Sequence, residues 1–142
     1  MARYYVTGAT AGVAVGKKLQ VAEVVLDFSS TNLAVGDIVD ALEIPADTLV
    51  LNAGIEVITA AGSGSPTIDL GDGDAADTWV TDVAGNAAGH EIGSTPKFYA
   101  AADNLDVLGV TAAFDGKIRV FATLCELGDS GLQNAITPST TQ

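Results

Sequence analysis

This chain of 142 residues has one cysteine, one histidine, one tryptophan, four prolines and only six basic residues. Each scarcity removes a class of function. A lone Cys125 excludes a disulfide framework within the chain. Set beside Leu124 in a strand-like run, it reads as a small buried hydrophobe; a nucleophile would need a basic partner, and His90 is far off in sequence. One histidine also falls short of the ligand sets that zinc sites and double-stranded β-helix metalloenzymes require. Arg3, Lys17, Lys18, Lys97, Lys117 and Arg119 stand against 18 carboxylates, for a net charge of −12. A nucleic-acid backbone would be repelled by that balance, and a polyphosphate substrate would find little to hold it. No apolar run approaches the ~18 residues of a membrane helix. The start, Met1 to Val6, lacks a basic segment leading into an apolar core, so no signal peptide is expected and synthesis is assigned to a cytoplasm.

What the chain does have is alternation. Leu49, Leu51, Ala53, Ile55 and Val57 occupy every second position, with Asn52, Gly54 and Glu56 between them. Side chains of a strand point alternately to the two sheet faces, so this spacing predicts one aliphatic row on a core. The run Ala60 to Pro66 reads as a Gly/Ser turn, and Thr67 to Gly71 as a second strand with Ile68 and Leu70 inward; together they predict a hairpin. A second hairpin is predicted around Asp115-Gly116, where Leu108, Val110, Ala112 and Phe114 would pair with Ile118, Val120, Ala122 and Leu124. Lys17 to Phe28 predicts a long strand, with Ala22, Val24, Leu26 and Phe28 on one face and Glu23 and Asp27 on the other; Ser29 to Asn32 closes it as a turn. Ile38, Leu42 and Ile44 read as strand, although Asp40 falls on the same face and a short helix competes. Pro45 ends the segment either way. Thr95 to Ala101 and Ala2 to Thr7 add short strands.

The expected architecture is all-β: an antiparallel sandwich spanning residues 1–127 as one domain. Residues 8–16 form a loop or arm, and 128–142 a polar C-terminal tail that is free or laid across a neighbour. The alanine, valine, glycine and leucine that supply most of the apolar content suit closely packed thin strands. They also suit a subunit that hides surface against neighbours.

Three segments invite a chemical reading. Gly8 to Gly16 is glycine-rich, but Gly16-Lys17-Lys18 lacks the hydroxyl that a P-loop places on its metal. Asp69, Asp72, Asp74 and Asp77 resemble a calcium loop at a glance. The glycine and closing glutamate of that pattern do not fit from Asp69 or Asp72, and the reading adopted is a solvated acidic turn, with Asp74 or Asp77 capping a short helix that buries Trp79. Whether residues 69–77 hold a cation stays open. Val83 to Ser94 reads as a glycine- and alanine-rich loop in which His90 is a surface residue. No catalytic, cofactor-binding or metal-ligating residue is assigned.

The order of several segments resembles the small structural proteins of tailed-bacteriophage heads. These segments are Gly36-Asp37-Ile38-Val39; Ile44 through Leu51; Ile55-Glu56-Val57; Pro66 through Asp72; Asp74 through Trp79; and Asp115 through Val120. The resemblance spans roughly Gly36 to Leu127. It implies a β-sandwich or jelly-roll subunit, often trimeric, that decorates or cements the outer face of an icosahedral capsid, with the major capsid protein as partner, no cofactor and no catalytic residues. Acidity agrees, since such a subunit is repelled by packaged DNA. Two other classes compete. A host-attachment or carbohydrate-binding module would need Tyr4, Tyr5, Trp79 or Tyr99 as exposed platforms. A trimeric dUTP-hydrolysing enzyme would have this length and a β-rich fold, but its Tyr-Asp motif and arginine-rich context are missing here.

Overall fold

The computed structural model describes residues 4–6, 18–128 and 136–138. Among the described residues eleven strands run in chain order: β1 Tyr4–Val6, β2 Gln20–Asp27, β3 Ile38–Ile44, β4 Thr48–Thr59, β5 Thr67–Gly71, β6 Val80–Ala84, β7 Gly89–Gly93, β8 Lys97–Tyr99, β9 Asp103–Gly109, β10 Lys117–Glu126 and β11 Ile136–Pro138. No helix occurs among the described residues, so none is long and apolar enough to cross a membrane.

Two antiparallel sheets stack face to face. The first has the order β2-β10-β4-β7, with β8 continuing beside β4, and the second has the order β3-β9-β5-β6. Every strand-to-strand connection of this body crosses from one sheet to the other, except β5–β6 within the second sheet and β7–β8, which both flank β4 in the first. That interleaving of the two sheets, with β7 and β8 sharing one place beside β4, is the strand order of a jelly roll. The predicted all-β sandwich is therefore the observed fold.

Alternation explains why these strands stack. On β10, Ile118, Val120, Ala122 and Leu124 are buried while Arg119, Phe121 and Thr123 face out. On β9, Leu105 and Val107 are buried across from them. β2 follows the expected faces, with Ala22, Val24 and Leu26 packed against the core. The competition at β3 is settled by a bulge between Asp40 and Leu42. The extra residue flips the side-chain phase, so Ile38 and Asp40 point out while Ile44 points in and Leu42 packs against the core. A second bulge, at Leu51 where Thr123 pairs with Asn52 but Leu124 with Val50, corrects the expected core row of β4. Val50, Ala53, Ile55 and Val57 are the buried residues, and Leu49 and Leu51 are only half-buried.

Neither predicted hairpin forms. β4 and β5 lie in different sheets, as do β9 and β10. An alternating row reports that one face of a strand is buried; it does not report which strand is its neighbour. Asp115-Gly116 also lacks the positive φ of a two-residue hairpin turn. It belongs to an arch between the sheets, where Gly116 carbonyl oxygen accepts from Phe28 N–H at 2.9 Å and a Cβ would come within 2.1 Å of the Thr59 carbonyl oxygen. Glycine is required here for close approach. The hairpin within the body is β5–β6, closed by the acidic loop.

Residues 83–94, expected as loop, contain the last two residues of β6 and all of β7. β7 is exposed along nearly all its length and shows no alternation, because it is held by backbone pairing to β4. Part of the expected tail is strand as well: Ile136–Pro138 pairs with Tyr4–Val6. The arm at 8–16 and the rest of the tail beyond Gly128 lie outside the described residues.

Candidate functional site

The acidic loop after β5 is built on Asp72. Its side chain is fully buried and accepts from Lys97 Nζ at 2.6 Å, Tyr99 Oη at 2.6 Å, Thr78 Oγ1 at 2.9 Å and the backbone N–H of Asp74 at 3.0 Å. Trp79 Nε1 in turn donates to Tyr99 Oη at 3.0 Å. Alternation on β8 turns Lys97 and Tyr99 to one side and Phe98 to the other, and pairing of β8 with β4 sets that side toward the loop. Burial pushes the Asp72 carboxyl up, but the bonds from Lys97, Tyr99, Thr78 and Asp74 outweigh it and hold the group at about 2. Burial and the Asp72 carboxylate raise the Tyr99 hydroxyl. Burial lowers Lys97, and its bonds to Asp72 and Asp74 more than restore it. Asp72 rather than Asp74 or Asp77 thus caps this loop, and a turn takes the place of the expected helix. Asp69 is also buried, accepting from Asp82 N–H at 2.7 Å where Asp82 adopts φ 53° in a β6 bulge.

Such a network can brace a loop. His90 and Cys125 are on the first sheet, His90 exposed on β7 and Cys125 buried at the end of β10. Among the described residues no group of three potential ligands is placed to hold a metal. Two of the four aromatics weighed as sugar platforms are buried, Trp79 and Tyr99, at 7% and 4% exposure. Tyr4 and Tyr5 lie on β1, and Gly16 and Lys17 fall outside the described residues.

Beside the Asp72 loop, Asp40 on β3 and Asp106 on β9 are directly opposite each other. Burial, then the facing Asp40 carboxylate, then the charges of Asp103 and Asp72, push Asp106 up to about 6. A group raised in this way takes up its proton in the folded chain before the unfolded chain does, so stability rises as pH falls from about 6 toward 4. Asp72 acts in the opposite sense: its contribution is fully present above about 4 and is lost as pH falls toward 2. Unfolding free energy is therefore expected to peak near pH 4, about 1–2 kcal/mol above its value at pH 7. Asp106→Asn should be more stable than the parent at pH 7 and should flatten the rise, as read by urea titrations at stepped pH. An unchanged rise in that variant would rule out Asp106 as its source.

The broader feature is the outer face of the first sheet. Cross-strand rows place Glu23, Phe121, Gly54 and Ile92 side by side, and next to them Val25, Arg119, Glu56 and His90. A Cβ on Gly54 would sit 2.8 Å from Phe121 Cζ, so the missing side chain is what lets the ring lie across the strand. Arg119 bridges two strands, its Nη1 at 2.9 Å from Glu56 and its Nε at 3.4 Å from Glu23. Val21, Val25, Ile58, Ile92 and Phe98 are all exposed on this sheet. Sequence reading missed both this face and the role of Asp72. Lys97-Phe98-Tyr99 signalled a strand, but what its inward side would meet depends on which loop the topology brings there.

No family model and no curated relative matches this sequence. Solved structures do match. A chain of the Cyanophage Pam1 capsid asymmetric unit superposes with a TM-score of 0.65 at 16% identity, over 84% of this chain and 92% of its own length. A chain of the acidic stable capsid structure of Helicobacter pylori bacteriophage KHP30 does so with a TM-score of 0.60 at 11% identity, over 99% and 100%. This chain has a fold found in bacteriophage capsid structures. A chain from the capsid of Ralstonia phage GP4 gives a third example, at TM-score 0.58, 15% identity, and 85% and 93% coverage.

Proposed function

We propose that this protein is a virion structural subunit that binds the outer surface of an icosahedral bacteriophage capsid and decorates or cements adjacent capsid subunits. The observation that carries the reading is the shared jelly roll: chains of three phage capsid structures match it over most or all of both lengths. The partner is the major capsid protein, the protein itself is a homo-oligomer with a trimer favoured, and it performs no catalysis. A net charge of −12 supports an exterior position, since packaged DNA repels such a surface. Cementing needs only modest affinity at each contact, because engaging several shell subunits together raises effective concentration. Burial of Trp79 and Tyr99 removes two of the four aromatics on which a carbohydrate-binding role would depend.

Purified protein mixed with shells that lack it is expected to bind at saturable, stoichiometric occupancy and to raise the shell melting temperature. Shells that recover no protein and melt unchanged would contradict the assignment.

A further inference from the structure

We infer that the outer face of the β2-β10-β4-β7 sheet is the contact through which one copy of this chain packs against another. The inference deepens the homo-oligomer part of the proposed function and rests on it.

Copies of a chain carrying −12 repel one another unless they meet where that charge is locally compensated. The two sandwich faces differ sharply in this respect. The second sheet turns Asp40, Glu43, Asp82 and Asp106 outward and has no lysine or arginine on any of its four strands. On the first sheet, Arg119 lies between Glu23 and Glu56, and Lys117 faces Asp27 at 3.8 Å. The compensated face is also the apolar one, with Val21 and Val25 exposed at 73% and 46% and the Phe121 ring laid over Gly54. Aromatic and arginine side chains at the centre, with few uncompensated charges, are the composition of a protein–protein contact. Its size suffices. β2, β10 and β4 are 8, 10 and 12 residues long, and β7 and β8, with 5 and 3 residues, share the far side of β4. At about 4.8 Å between strands and about 3.3 Å per residue they give a face of about 600 Å², the lower end of the roughly 600–1,000 Å² per partner that a stable association buries.

The test is sedimentation equilibrium of the full chain, the Val21→Asp/Val25→Asp double variant, and Ile38→Asp as a control on the outer face of the second sheet. All three substituted positions are exposed, so each variant should keep the parent's circular dichroism spectrum and melt. The parent and Ile38→Asp are expected to sediment above the mass of one chain, and the double variant at that mass. A parent that stays at one chain across concentrations, or a double variant that stays assembled, overturns the inference. Binding to shells lacking the protein is measured in parallel. A monomeric parent that still saturates shells overturns only this inference and leaves the proposed function standing. An assembled double variant that no longer binds shells assigns the face to the shell subunit instead, and also overturns it.

Discussion

Asp72→Ala is expected to destabilise the fold by about 3–5 kcal/mol, the range for breaking a buried ion pair by removing one partner. The loss comes from what is left behind. Lys97 Nζ, Tyr99 Oη, Thr78 Oγ1 and the Asp74 N–H all donate to this one carboxylate. Tyr99 Oη and the Asp74 N–H would be stranded in or beside a site that buries Tyr99 and Trp79, whereas Thr78 Oγ1 keeps the Ala75 carbonyl oxygen at 3.0 Å. Lys97 retains Asp74 as a partner at 2.8 Å, so Lys97→Met should cost less than the Asp72 change. Trp79, the single tryptophan, bonds Tyr99 and reports the network directly, so urea unfolding followed by its fluorescence is the natural assay. A loss under about 1 kcal/mol for Asp72→Ala would show that the loop is held by other means.

Phe114→Ala should be comparably severe, also costing about 3–5 kcal/mol. Phe114 is the largest fully buried side chain among the described residues and fills the arch between β9 and β10. Its ring meets Phe28 edge-on at 5.8 Å, and its backbone exchanges hydrogen bonds with Leu33, 2.9 Å in both directions. Gly85 and Gly116 press against the ring so closely that a Cβ on either would come within 3 Å of it. Walls made of backbone cannot collapse into the space that the ring vacates, and a cavity that cannot collapse costs the most. In a domain of this size the melting temperature should fall by roughly 10–20 °C. Phe114→Leu, which keeps most of the volume, should recover more than half of the loss. A mild alanine variant would mean that the arch is not a fixed part of the core.

Legibility of this fold in the sequence divides along a physical line. Which residues face the core could be read for β2, β5 and β10, because one buried face imposes period two on Ala22-Val24-Leu26, Ile68-Leu70 and Ile118-Val120-Ala122. Pairing could not be read. A jelly roll sends nearly every connection across to the other sheet, so Asp115-Gly116 and the Gly/Ser run at 60–66 mark arches that look like hairpins to any rule based on local turns. Bulges at Leu51 and after Asp40 shift the phase within a strand, which a single alternating row cannot show. β7 has no apolar signature because its partner is the backbone of β4. The Asp72 network eluded sequence reading for a related reason: Asp72 and Lys97 are 25 positions apart and meet only because the two sheets stack. The compensated face is likewise assembled from four strands, so Glu23, Arg119 and Glu56 carry no shared motif.

The central claim, that this chain is a capsid-exterior structural subunit, is tested most directly by image reconstruction of virions made with and without it. The expected result is a jelly-roll density on the outer surface of the shell, present at stoichiometric copy number in the first preparation and missing from the second. Shells that reconstruct identically in both preparations, or density for this chain confined to the DNA-filled interior, would contradict it.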